Sequence, residues 1–171
     1  NKKEHLMNKY LILCVDDEPE VLNSVLQDLA VFEENFIVEG AESVDEAKQV
    51  IKEMGQDGIK LALILCDHIM PDKTGIDFLI ELNQHDFTKP TRKLLLTGQA
   101  GLEDTVTAIN NAALDFYISK PWQGDQLRDT ITQQLTDYVI ANDKQLLNWT
   151  SILDTERILT AMADKRTSFG E

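Results

Sequence analysis

The sequence predicts an α/β fold with a doubly wound parallel sheet, and three observations carry that prediction. From Lys9 to about residue 138, short apolar runs alternate with segments whose apolar residues recur at helical spacing. Four of the runs, residues 11–15, 61–66, 94–96 and 116–119, are bounded by Gly, Pro or charge, as buried parallel strands are. Each run stops at a residue that handles phosphate or metal: Asp16-Asp17, Asp67, Thr97 and Lys120-Pro121. The carboxyl ends of such strands share one edge, where ligands bind. Three carboxylates, a hydroxyl and an ammonium are therefore expected to converge.

The elements follow in order. Strand one covers residues 10–15, and the helix after Pro19 places Val21, Leu22, Val25, Leu26 and Leu29 on one face. Strand two covers residues 36–40. The second helix opens with Ser43-Val44-Asp45-Glu46, a capping box in which hydroxyl and carboxylate each satisfy an orphan backbone N–H. Ala47, Val50, Ile51 and Met54 form its inner face, and residues 55–58 end it. Strand three, residues 61–66, is apolar at every position and is expected in the middle of the sheet, covered on both faces. A loop over residues 71–75 leads to a helix carrying Phe78, Leu79 and Leu82, then strand four at 94–96. A helix from about 102 to 113, with Val106 and Ile109 inward, precedes strand five at 116–119. The last helix starts near Gln123 and sets Leu127, Ile131 and Leu135 on one face.

This divides the chain into a tail (1–8), a domain (9–138) and a helical extension (139–171). Ile131, Leu135, Tyr138, Asn142, Leu146, Trp149 and Leu153 are spaced by three and four, close to a coiled-coil seam with one polar position. Two readings stay open: the extension folds back on its own domain, or it dimerises or links to a further one.

With 171 residues, 43% hydrophobic and 27% charged, the chain has the composition of a soluble globular protein with one well-buried domain. Its 30 acids against 16 bases give a net charge of −14, which repels nucleic-acid phosphates and anionic membranes. No apolar stretch reaches membrane-spanning length and the start is polar, so a cytoplasmic location is expected. Cys14 and Cys66 lie inside apolar runs and read as buried thiols; the rival reading is a redox pair across neighbouring strands.

Phosphoryl transfer to a carboxylate needs an acceptor oxygen in line with the donor, a cation for the developing charge, and donors for the equatorial oxygens. Asp67, ending the central strand, is placed to be the acceptor. Asp16 and Asp17 supply the hard oxygens Mg²⁺ prefers, and three clustered carboxylates imply such a cation because like charges at short range do not all ionise cheaply. Lys120 can pair with the carboxylate before transfer and the phosphoryl oxygens after it, and Thr97 can donate a hydroxyl hydrogen bond. A cis bond before Pro121 would turn Lys120 inward. Alone, each residue has a plainer reading as helix cap, turn or strand end; their order at successive strand ends is what carries the chemistry.

At Val15-Asp16-Asp17-Glu18-Pro19, Asp67-His68-Ile69-Met70-Pro71 with Gly75, Leu96-Thr97-Gly98 and Lys120-Pro121, the chain resembles the response-regulator receiver domain of two-component signalling. The resemblance covers about residues 10–138. It implies a flavodoxin-like five-stranded sheet of order 2-1-3-4-5, extended here by the C-terminal helix, and a signalling module rather than a turnover enzyme. It further implies that Asp67 takes a phosphoryl group from a sensor histidine kinase or phosphotransfer protein. Asp16, Asp17, Asp67 and the backbone carbonyl of Ile69 would hold Mg²⁺, and Thr97 and Lys120 would contact the phosphoryl group. Thr97 would act as a switch read by Tyr117, and Ile69 and Gln99 occupy positions that tune autodephosphorylation. An apolar Ile69 does not orient an attacking water by hydrogen bonding, whereas Gln99 can, so slow or moderate rather than fast loss is expected. Implied partners are the phosphodonor, a downstream output domain or protein, and a second copy through the C-terminal helix, with neither nucleic acid nor membrane. Lys120-Pro121-Trp122 and the long helix expected after it resemble receivers fused to cyclic-nucleotide-handling enzymes, phosphatases or kinases more than those fused to DNA-binding domains.

Two rival classes fit the sequence less well. An aspartate-nucleophile, Mg²⁺-dependent phosphohydrolase would carry Asp-x-Asp on the first strand, whereas here the acids are adjacent. A flavodoxin-type cofactor binder would need a Ser/Thr- and Gly-rich phosphate loop where Asp16-Asp17-Glu18-Pro19 stands.

Overall fold

A computed structural model describes residues 9–98, 110–111 and 113–143. Within it, five parallel strands run β1 (Tyr10–Val15), β2 (Ile37–Ala41), β3 (Lys60–Asp67), β4 (Arg92–Thr97) and β5 (Phe116–Ser119), in the spatial order β2-β1-β3-β4-β5. The helices are α1 (Pro19–Asp28), α2 (Val44–Gln56), α3 (Gly75–Asn83) and α4 (Gly124–Asn142). The doubly wound sheet of order 2-1-3-4-5 expected from the sequence is present. β3 is central, and every residue in it but Lys60 is buried.

The sheet separates two cores. On one face Ile12, Cys14, Leu63 and Leu65 meet Leu22 and Val25 of α1 and Leu127, Ile131, Leu135 and Tyr138 of α4. On the other, Leu11, Leu13, Ile64 and Cys66 meet Ala47 and Ile51 of α2 and Phe78, Leu79 and Leu82 of α3. Alternation along each strand sends neighbouring residues to opposite cores. Cys14 and Cys66 consequently face opposite sides, and both thiols are free, so the redox-pair reading is overturned. Burial pushes the Cys14 thiol up to about 12 and the Cys66 thiol higher still.

Several boundaries differ from the sequence reading. β4 begins at Arg92 rather than Leu94, because Lys93, only 1% exposed, is held inside by its ammonium donating to the Lys89 and Thr91 carbonyls, each at 2.9 Å. β2 starts one residue later than expected. A 3₁₀ turn, Ala30–Glu34, not anticipated, drops Phe32 into the core at 1% exposure. The capping box forms with one change. Ser43 Oγ accepts from the Glu46 N–H at 3.1 Å, but Glu46 Oε2 accepts from Glu42 N–H, not from that of Ser43. α2 runs through Gly55 and stops beyond Gln56, where Gly58 adopts φ +78°.

α4 buries Leu127, Ile131 and Leu135 as expected, together with Tyr138 and Val139. Ile131, Leu135 and Tyr138, the first half of the expected seam, therefore pack on the chain's own sheet. The helix ends at Asn142, and Asp143 leaves helical geometry at φ −96°, ψ 86°. The Tyr10 hydroxyl donates to Asp143 Oδ2 at 2.7 Å, tying the end of α4 to the start of β1. Leu146, Trp149 and Leu153, and Val106 and Ile109 of the helix expected before β5, lie outside the described residues.

Candidate functional site

Parallel registry assembles the site. Val15 pairs with Cys66, so the next residues, Asp16 and Asp67, emerge side by side at the carboxyl edge. Asp67 in turn pairs with Leu96 of β4, and Thr97 pairs with Ser119 of β5. The Lys120 N–H then donates to the Thr97 carbonyl at 3.0 Å, continuing the ladder one step beyond β5. The Lys120-Pro121 bond is cis, as expected.

The Lys120 ammonium lies 2.9 Å from Asp67 Oδ1 and 3.2 Å from Asp16 Oδ2. Asp16 Oδ1 accepts from the Glu18 N–H at 2.9 Å, so both of its oxygens have partners. Carboxylate oxygens of Asp16, Asp17 and Asp67 lie within 4.8 Å of one another. Asp17 Oδ1 is buried without a hydrogen-bond donor among the described residues. A buried carboxylate oxygen left unsatisfied is costly, and a hard cation among these three acids would satisfy it; the donor set fits Mg²⁺.

The charge balance points the same way. Burial holds the Asp67 carboxyl above its usual range, the charges of Asp16 and Asp17 push it further, and the Lys120 bond only partly offsets them. Burial opposes the charge on Lys120, but Asp67 and Asp16 outweigh it and hold the ammonium above its usual range. One ammonium faces three carboxylates, so added positive charge would lower the cost of keeping all three ionised.

Thr97 is 1% exposed at the end of β4. Tyr117, on β5 opposite Leu95, is half-buried against the α2–α3 core, and its hydroxyl accepts from Ser119 Oγ at 3.4 Å. Ile69, by contrast, turns its side chain outward at 61% exposure. Gln99 lies outside the described residues. Asp16, Asp17, Asp67 and Lys120 are thus brought together, with Thr97 beside them.

Two features escaped the sequence reading. Gly75 was noted only as part of a motif. Its N–H donates to the His68 carbonyl at 2.8 Å, and a Cβ there would sit 2.2 Å from the Asp67 carbonyl oxygen. Asp28, at the end of α1, accepts from Trp122 Nε1 at 2.7 Å and pairs with Arg128 at 3.5 Å. No local pattern announces a contact between residues 94 positions apart; Gly124, which keeps space for that carboxylate, was the one signal available.

Residues 12–132 match the response regulator receiver domain family. The chain belongs to that family. Among curated relatives of this receiver, the hydrogenase transcriptional regulatory protein HoxA of Cupriavidus necator is 30% identical over 80% of the chain. The receiver spans only 26% of HoxA's length. The chemotaxis protein CheY of Halobacterium salinarum is 30% identical over 73% of the chain and 96% of its own length. Among solved structures, a CheY-like response regulator receiver domain protein from Methanospirillum hungatei superposes with a TM-score of 0.67 at 29% identity, covering 80% of this chain and 99% of its own. Membership in this family of two-component signalling domains disfavours the phosphohydrolase reading. No helix among the described residues is long and apolar enough to cross a membrane.

Proposed function

We propose that this receiver accepts a phosphoryl group on Asp67 from the phosphohistidine of a sensor histidine kinase or phosphotransfer protein and uses it to reset an output surface. The observation that carries the reading is the Lys120 ammonium shared between Asp67 and Asp16, beside the unsatisfied oxygen of Asp17. Asp16, Asp17, Asp67 and the backbone carbonyl of Ile69 would hold Mg²⁺, which when bound would supply positive charge against that of the phosphoryl group. An Asp67 carboxylate oxygen attacks phosphorus in line. The new O–P bond forms as the P–N bond to the imidazole breaks, and the imidazole leaves with the electron pair.

Once Asp67 carries the phosphoryl group as an acyl phosphate, its own carboxylate charge is gone and the Lys120 ammonium turns to the phosphoryl oxygens. Thr97 donates its hydroxyl to the same group. Its displacement changes the space beside Tyr117, and the surface around β5 responds. Ile69, apolar and outward, does not align an attacking water, and Gln99, two residues after Thr97, supplies the one amide of the pair that can, so loss of the phosphoryl group is slow to moderate rather than fast. The expected setting is cytoplasmic, with an output domain or partner protein downstream. The segment after Asp143 serves as a link to that output or as a contact with a second copy.

Incubation with acetyl phosphate and Mg²⁺ is expected to add one phosphoryl mass to the wild type and none to Asp67→Ala. An equal gain in both proteins would remove the reading, and a half-life of a few seconds would remove its slow-loss component.

A further inference from the structure

Lys120 has to bridge two carboxylates from the end of a four-residue edge strand, β5. Its own backbone contributes one bond there, to the Thr97 carbonyl. The link onward to α4 is not closed by a helix cap, since Gln123 makes no side-chain capping bond. What fixes this link is Asp28. Its Oδ2 receives the Trp122 indole N–H at 2.7 Å, two residues beyond Lys120. Its Oδ1 lies so near Gly124, the first residue of α4, that a Cβ there would be 3.0 Å from it. Arg128 closes the arrangement, donating to Asp28 Oδ1 at 3.5 Å and to the Asp28 carbonyl at 3.4 Å, and pairing with Asp125 at 2.6 Å.

The negative carboxylate also sits where the partial positive charge of α4's N-terminus is strongest, which favours this placement. Asp28 belongs to α1, the helix that starts immediately after Asp16 and Asp17. The arm carrying the two acids and the arm carrying Lys120 are therefore tied twice: in the site, by Lys120 to Asp16, and again by Trp122 and Arg128 to Asp28.

We infer that Trp122 and Asp28 are positioning residues for Lys120: their hydrogen bond holds the β5–α4 connection against α1 so that the ammonium stays between Asp67 and Asp16. This rests on the role proposed for Lys120 above. Neither residue touches the reacting atoms. Trp122→Phe keeps the ring and removes only the indole N–H, whereas Asp28→Asn keeps an acceptor but loses the charge facing Arg128 and α4.

The test measures Asp67 phosphorylation by acetyl phosphate across donor concentrations, with Mg²⁺ affinity measured by calorimetry, on the full chain. Each variant is expected to lower the maximal rate about tenfold, below the roughly hundredfold that a full 1 Å misplacement can cost. The Mg²⁺ dissociation constant should stay within about twofold, because Asp16, Asp17 and Asp67 are intact. In a Lys120→Met background, Trp122→Phe should leave the residual rate unchanged, since the effect runs through Lys120. Rates equal to wild type would overturn the inference, as would Mg²⁺ affinity falling in step with rate, or an equal slowing in the Lys120→Met background. If the wild type gains no phosphoryl group at all, the underlying reading fails. If it does and the variants match it, only the positioning role fails.

Discussion

Gly75 shows how narrowly a single residue can be constrained. A side chain there would drive a Cβ to 2.2 Å from the Asp67 carbonyl oxygen and 2.9 Å from the His68 Cα, both backbone atoms with nowhere to move. Gly75→Ala is expected to cost about 2 kcal/mol or more in urea unfolding, as overpacking against fixed atoms does, and to slow Asp67 phosphorylation by displacing the residue itself. Asp17 is constrained by its partners rather than by space. Its buried Oδ1 has no donor among the described residues, so Mg²⁺ is expected to raise the melting temperature of the wild type, and Asp17→Asn to abolish most of that rise. Scanning calorimetry with Mg²⁺ and with a chelator reads both, and a chelator should also stop acetyl phosphate labelling. Equal Mg²⁺ stabilisation of the two proteins would exclude Asp17 from the site.

At the scale of elements, β4 and α4 carry the polar groups that a hydrophobic pattern does not reveal. The strand ends were legible because apolar runs stop abruptly at charge: residues 61–66 stop at Asp67 and residues 116–119 at Lys120. The start of β4 was not, because Lys93 looks like a surface residue until its two carbonyl partners are known. The 3₁₀ turn was equally hidden, since only tertiary burial distinguishes Phe32 from a loop aromatic. In the site, the four converging side chains could be read from order and strand end alone. The Asp28–Trp122 bond could not, because it depends on how α1 and α4 pack.

Burial lowers the Lys93 ammonium to about 8 from its ordinary value of 10.5, with Asp115 opposing the shift. The unfolded chain thus binds more protons than the folded one between those values. The cost is fully present below about pH 8 and is relieved as pH rises toward 10.5. The stability of wild type relative to Lys93→Met is expected to rise across that window by up to about 3 kcal/mol, from urea unfolding at each pH. A flat difference would show that the two carbonyl bonds already offset the burial. Tyr10→Phe on β1 removes the hydroxyl that donates at 2.7 Å to the buried Asp143 carboxylate at the end of α4. It is expected to cost about 1–3 kcal/mol, seen as a lower urea midpoint with an unchanged m-value.

For the whole molecule, the net charge of −14 means that folding gathers like charges at every scale, from the site to the surface. Salt should therefore stabilise the fold by screening general repulsion. Mg²⁺ should do so at far lower concentration, because it acts at one cluster. The fold converts a sequence with acids spread along it into one edge where three of them meet, and the sheet's parallel registry, rather than any single contact, accomplishes this.

The opposite facing of Cys14 and Cys66 gives the molecule a built-in pair of clocks. Each thiol is buried in a different core, and a buried thiol reacts with an alkylating reagent only when its side of the sheet opens. Cys66, whose Sγ donates to the Asp67 carbonyl at 3.3 Å, times the α2–α3 side next to Asp67. Cys14 times the α1–α4 side that carries Asp28 and Trp122. Pulsed labelling of a single native chain, with the two peptides resolved by mass, would time the breathing of each half of the receiver separately, before and after phosphoryl transfer.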